Sequence, residues 1–181
     1  MNITFLRHAL TEYNKKGLLQ GQIDCDLSEE GREELKKFAE TFYNQYTVCY
    51  CSPLKRTKET AEAVLHGKTP IIYDDRIQER HLGILQDTLM TLEKQKQILD
   101  RVNIPQGAES YEELKKRIVN FLDMLQNTYD DNASILVVTH MGVFHEAKPM
   151  FGLTDENKSK NLEICIVQLP SKVKKRVRAD V

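Results

Sequence analysis

Two arginines, two histidines and one glutamate stand where the apolar, strand-like runs of this chain end. Ile3, Thr4, Phe5 and Leu6 deliver Arg7 and His8, and "TVCYC" runs on into "SPLKRT" with Arg56. "PIIYDD" is followed by "QERHLG" with Glu79, and "SILVVTH" ends in Thr139 and His140. That set suits phosphoryl transfer. Guanidiniums are planar, permanently charged donors matched to phosphate oxygens. A neutral imidazole is a competent nucleophile toward phosphorus, and water can turn over the phosphohistidine it forms. A second imidazole, if protonated, adds positive charge where the equatorial oxygens become more negative. A glutamate can protonate the departing alkoxide and then deprotonate the attacking water. No step of this scheme calls for a metal. An arginine beside each histidine repels cations, and neither H-x-H nor HExxH ligand spacing occurs.

Each residue taken singly has a plainer reading. Arg7 could cap its strand, Arg56 could pair with Glu59 on a helix surface, Glu79 could be a loop carboxylate, and His140 could be a core histidine bonded to backbone. What favours chemistry is that all of them lie at strand exits, where sheet proteins place their ligands.

The elements that must position these residues alternate along the chain. After "NITFLR", the stretch "SEEGREELKKFAETFYNQ" puts Leu35, Phe38 and Phe42 at helical spacing, with Ser28 as its N-cap. "TVCYC" predicts a second strand. "SPLKRTKETAEAVL" predicts a helix capped by Ser52 with Pro53 at its first position, which places Arg56 in the first turn. "PIIYDD" predicts a third strand. Between about residues 79 and 107 the pattern blurs, and "TLMTLEKQKQILD" is helix-like but polar, as a lid-like excursion would be.

"GAESYEELKKRIVNFLDMLQ" is amphipathic: Ser110 and Glu113 make a capping box, and Leu114, Ile118, Phe121 and Leu125 make the buried stripe. "SILVVTH" is the most apolar strand and should be central. A short helix through Phe144 and the strand "EICIVQLP" follow, and the tail "KVKKRVR" reads as a solvated edge strand. The alternation predicts an α/β fold, a three-layer α/β/α sandwich with a mostly parallel central sheet, and residues 1–181 as a single domain.

Composition narrows the function. Of 181 residues, 26 are Lys or Arg and 27 are Asp or Glu, so the net charge of −1 gives no footprint for nucleic acid or an acidic membrane. No apolar run approaches a membrane span, and no basic segment precedes an apolar one at the N-terminus. The four cysteines, Cys25, Cys49, Cys51 and Cys165, lack a disulfide-framework spacing and read as reduced thiols of a cytoplasmic protein.

The residues also resemble a known family. "LRHALTEYN" resembles the LRHGxTxxN signature of the histidine phosphatase superfamily, the group that includes cofactor-dependent phosphoglycerate mutases. "GLLQGQIDCDLSEEG" is similar to GxxQGxxDxPLTxxG, "SPLKRTKETA" to SPLxRAxxTA, "ERHLG" to ERxxG, "GAES" to GES and "VTHMG" to VTHGG. The pieces come in the family's order and span roughly residues 3 to 145.

The resemblance implies a phosphoglycerate mutase-like fold and His8 as the nucleophile. It implies that Arg7, Arg56 and His140 hold the phosphoryl group, with Asn14 completing the pocket, and that Glu79 is the general acid and base. Gln20 and the backbone around Gly21 and Met141 would line the substrate side, with no metal or organic cofactor. The sequence departs from the pattern at Ala9 and Met141, where glycine is usual, and at His145, where arginine is frequent. It departs again at "LQD" (Leu85 to Asp87), in place of an acidic-glycine pair. Pro149 should shorten or kink the helix that follows His140.

The expectation is a metal-independent phosphatase acting on small-molecule phosphomonoesters through a phosphohistidine on His8. The alternatives are a mutase-type phosphotransferase and a non-catalytic phosphoryl-binding protein. A mutase needs a site for a second phosphate, and the segment after Glu79 offers few cations: Arg80, Lys94, Lys96 and Arg101. A binding protein would have lost a catalytic residue, and none is missing. Oligomeric state is not legible in the chain.

Overall fold

Five strands build one sheet in a computed structural model that describes residues 1–42, 45–154 and 160–173. They are β1 (Asn2–Arg7), β2 (Val48–Cys51), β3 (Ile71–Tyr73), β4 (Ser134–Thr139) and β5 (Ile164–Gln168). The order across the sheet is β3-β2-β4-β1-β5, so the apolar "SILVVT" strand is central, as its composition predicts. β1, β2, β3 and β4 pair in parallel, whereas β5 runs antiparallel to β1 at the edge. The described helices are α1 (Glu12–Lys16), α2 (Glu29–Thr41), α3 (Lys55–Leu65), α4 (Leu92–Leu99), α5 (Tyr111–Thr128) and α6 (Met141–Ala147).

Side chains alternate across the sheet and fill two cores. Ile3, Phe5, Tyr50, Ile135 and Val137 face α5 and α6, where they meet Leu114, Ile118, Phe121, Leu125 and Phe144. Leu6, Cys49, Cys51, Leu136 and Val138 face α2 and α3, where they meet Leu35, Ala39, Ala61 and Val64. These are the three layers of an α/β/α sandwich. Burial in the second core pushes the Cys49 thiol up to about 12 and keeps it protonated. All four cysteines are free.

Both side-chain caps read from sequence at α2 and α5 form. Ser28 Oγ accepts the Gly31 amide, and Ser110 with Glu113 closes a capping box. The cap read for α3 does not form. That helix begins at Lys55 with Leu54 at the N-cap position, and Ser52 lies upstream with its hydroxyl turned toward His140. Pro53 therefore bends the chain between strand and helix and does not open the helix. A helix that the hydrophobic pattern did not predict, α1, is nucleated by a reciprocal cap between Thr11 and Asn14 and ends at Gly17 in the left-handed region (φ 66°).

Pro149 acts as expected: α6 ends at Ala147 and passes into a 3-10 turn, Lys148–Phe151. Of the tail read as an edge strand, residues 172–178, the part from 174 onward lies outside the described residues.

Between Glu79 and Gly107 the chain leaves the sandwich. A 3-10 turn (Gly83–Leu85) and α4 sit on a small cluster of Leu19, Leu82 and Leu85, with Ile98 packed against it. Single bridges, Leu18 to Leu89 and Leu82 to Ala108, hold it down. Among the described residues no helix is long and apolar enough to cross a membrane.

Candidate active site

The carboxyl ends of β1, β2 and β4 meet because their register is tight: Arg7 pairs with Thr139, and Cys51 with Val138. The residue after each strand is locked in turn. The His8 amide donates to Thr139 O, and the Ser52 amide to Val138 O. His8 and His140 thereby come together as a tilted pair, with ring centroids 5.3 Å apart and planes inclined by 55°. Arg56 reaches them from the first turn of α3, and Glu79 from the loop after β3.

The polar core of this cluster is out of water. Arg56 is 1% exposed, His8 2%, His140 0% and Arg7 7%. Burial, followed by the charges of Arg56 and Arg7, drives the His8 imidazole well below its ordinary value of 6.5, so it is neutral. His8 Nδ1 lies 2.7 Å from Ala9 O. A carbonyl only accepts, so the proton sits on Nδ1 and the lone pair on Nε2.

His140 is not the cation that the sequence reading allowed for. Burial and Arg56 lower its pKa well below 6.5 as well. Arg56 Nε donates to His140 Nδ1 at 3.2 Å, which leaves the ring hydrogen on Nε2, 2.7 Å from Ser52 Oγ. With both imidazoles neutral, Arg7 and Arg56 carry the positive charge beside His8. Burial also lowers the pKa of Arg7 and Arg56, with the charge of Glu79 opposing it, yet an arginine so placed stays charged.

Arg56 is held on three sides. Besides its bond to His140, Nη1 donates to Ile23 O and Nη2 to Gly21 O, each at 2.8 Å. This is how the "QGQID" loop enters the site: it offers carbonyls. Gly21 takes a left-handed φ of 51°, and a Cβ there would collide with Gln86 Oε1. Gln20 Oε1 accepts from Cys25 Sγ at 3.2 Å. Asn14 commits its Oδ1 to the α1 cap and to Asn161 Nδ2 (3.4 Å). Met141 is 38% exposed and opens α6 directly after His140.

The Glu79 carboxylate is bonded through Oε1 to the amides of Arg80 (2.8 Å) and Gly142 (3.0 Å). Its backbone is fixed by Arg117, whose donors reach the carbonyls of Arg76, Gln78 and Glu79 and both oxygens of Glu109. All five N–H groups of that guanidinium have an acceptor. Among the described residues, no three His, Cys, Asp or Glu side chains gather as a cation would require.

Several contributors escaped the sequence reading. Asn161 Nδ2 donates to His8 O at 3.0 Å, and Thr60 Oγ1 accepts the Ala9 amide at 3.1 Å. Ser52, Gly142, Arg117 and Gln22 complete the group. Ser52 and Gly142 lie inside "SPLKRT" and "VTHMG", so position relative to the strand exits could have found them. Asn161 and Arg117 carry no such signal, since their roles depend on distant chain packing. The pair proposed for Arg56 and Glu59 does not form, because Glu59 pairs with Arg32 across α2 and α3.

The model of the histidine phosphatase superfamily (branch 1) matches residues 3–155. The chain belongs to that family. It is 30% identical over 155 residues to a probable phosphatase of Schizosaccharomyces pombe, covering 83% of this chain and 73% of that one. It is 33% identical over 150 residues to a protein named phosphoserine phosphatase 1 of Hydrogenobacter thermophilus, covering 77% and 71% of the two chains. The solved structure of YhfR from Bacillus stearothermophilus superposes with a TM-score of 0.83 at 22% identity, over 93% of this chain and 91% of that one. As a histidine phosphatase, the protein hydrolyses phosphomonoesters by the family's phosphohistidine route.

Proposed function

We propose that His8 Nε2 attacks the phosphorus of a small phosphomonoester while Arg7 and Arg56 hold its oxygens. The observation that carries this reading is the Nδ1–H of His8 bonded to Ala9 O, which leaves an Nε2 lone pair on a ring that stays neutral. The N–P bond forms as the P–O bond to the leaving group breaks, and Glu79 gives the departing alkoxide its proton. Glu79 then takes a proton from water, whose oxygen attacks phosphorus. Breaking the N–P bond releases phosphate and restores His8.

His140 serves as a neutral brace, accepting from Arg56 Nε and aligning the guanidinium beside His8. Preorganised charge of this kind does its work before the substrate arrives. Asn14, Gln20, Gly21 and Met141 border the substrate side, and residues 79–107 act as a lid-like excursion over it.

Hydrolysis is favoured over a mutase reaction by the cations of that excursion. Arg80 and Arg101 both stack on the Tyr111 ring, at 4.0 and 4.2 Å, and Arg101 also pairs with Glu146 at 3.0 Å. Lys94 Nζ donates to Leu89 O at 3.2 Å, so three of the four cations of that excursion are engaged, which leaves little with which to hold a second phosphate. Acid- and base-quench of the enzyme during turnover tests the reading. The wild type should carry an acid-labile, base-stable phosphate, and His8→Ala should carry none while retaining its fold. Label on serine or aspartate would refute the mechanism.

A further inference from the structure

We infer that Gln22, seated by Gln86, is a positioning residue that sets the spacing between the phosphate-holding Arg56 and the proton-donating Glu79. The inference rests on the assignment of Glu79 as general acid. Gln22 lies between the two residues whose carbonyls clamp Arg56, Gly21 O on Nη2 and Ile23 O on Nη1. Its own side chain leaves that loop and donates from Nε2 to Glu79 O at 2.9 Å. The same carbonyl accepts from Arg117 Nη2 at 3.1 Å, so both lone pairs of the Glu79 carbonyl are used. One short segment therefore grips the phosphate arginine by its backbone and the acid by its side chain.

Gln86 fixes the register of this tie. Its Oε1 accepts the Gln22 amide at 2.9 Å and the Leu82 amide at 3.2 Å. It fills the space that only a glycine at position 21 leaves open. Gln86 belongs to the excursion that follows Glu79, so the excursion is bolted to the phosphate loop at the point where the acid is held. The geometry matters because proton delivery depends on where the acid sits relative to the bridging oxygen, and Arg56 fixes where that oxygen is.

The test is a double-mutant cycle in the full-length enzyme. Gln22→Met keeps the length of the side chain and removes its donor. Phosphoenzyme formation from a sugar phosphate should slow about tenfold, the scale of one net hydrogen bond acting on the transition state. In a Glu79→Gln background the same change should cost less than about twofold, because the tie acts through the acid. A full loss in that background would overturn the inference, since Gln22 would then be acting on the phosphate grip or the fold. If Glu79→Gln alone proved indifferent to leaving group, the assignment of the acid would fail instead, and the two failures are distinct. Should Gln22→Met not fold, Gln86→Leu provides the same cycle. Gln86→Glu, which keeps an oxygen for both amides, should restore most of what Gln86→Leu loses. Failure of that rescue would count against the tie.

Discussion

The carboxylate of Glu79 occupies the space that a side chain on Gly142 would need. A Cβ built on Gly142 collides with Glu79 Oε1, while the Gly142 amide donates to that same oxygen at 3.0 Å. The proposed acid is thus packed against the start of α6, one residue beyond the exposed Met141. Gly142→Ala should push the carboxylate out of place without disturbing either core. Turnover of an alkyl phosphate should then lose a large part of the about 10²–10⁴ that a positioned acid contributes. Melting temperature should change little, and a full-rate Gly142→Ala enzyme would show that Glu79 works from another position.

That relationship also shows where sequence reading reaches its limit. Strand exits were legible because apolar runs, caps and arginine–histidine placement are local properties. So were the buried stripe of α5 and the central place of β4. The cap of α3 was misread because Ser52, though ideally typed for it, is claimed by His140 across the sheet, and tertiary demand outweighed propensity. The charge of His140 was open in the sequence and is decided by burial and by one donor from Arg56. Gln22, Asn161 and Arg117 act through contacts 57, 153 and 38 residues away in sequence, which no spacing rule encodes.

Buried histidines make a pH signature. His8 and His140 have folded values well below 6.5, chiefly from burial and then from Arg56. His8, the proposed nucleophile, therefore stays neutral as pH falls through the ordinary histidine range. Phosphoenzyme formation should not decline with a midpoint near 6.5 between pH 7.5 and about 5.5. Stability should behave in the opposite way. Below 6.5 the unfolded chain takes up protons that the folded chain refuses, so the contribution is full above 6.5 and is lost as pH falls toward the folded values. Thermal melts across that window should show a falling Tm, with a shallower fall in His8→Gln. A rate that follows a group titrating near 6.5 would mean that His8 is hydrated and not the neutral nucleophile described.

Chelation should leave the rate unchanged. In the proposed mechanism the charge facing the phosphoryl group comes from Arg7 and Arg56, and among the described residues no carboxylate and imidazole side chains cluster as magnesium or manganese would need. Enzyme treated with EDTA and then desalted should turn over p-nitrophenyl phosphate at the untreated rate. Loss of activity restored by a divalent ion would overturn a mechanism based on arginine alone.

Glu79 should matter most where the leaving group is poor. An alkoxide departs badly without a proton, whereas p-nitrophenolate departs almost unaided, so the acid lowers the barrier more for alkyl esters. Its carboxylate is already oriented by the amides of Arg80 and Gly142, so Glu79→Gln preserves the shape and removes only the acid. On a sugar phosphate the variant should lose about 10²–10⁴ in rate, the usual contribution of such a group. From p-nitrophenyl phosphate the first step should suffer clearly less. That step must be read as a burst of nitrophenolate, because the proposed mechanism needs Glu79 again to activate water in the second step. A large burst followed by a slow steady state would be the mark of an acid that turns base. Equal losses in both phosphorylation steps would reduce Glu79 to a wall of the pocket. The proton would then have to come from another group, the first candidates being His81, which sits two residues on with Nδ1 2.9 Å from Gly107 O, and Asp87, whose Oδ1 accepts from Tyr13 at 2.9 Å.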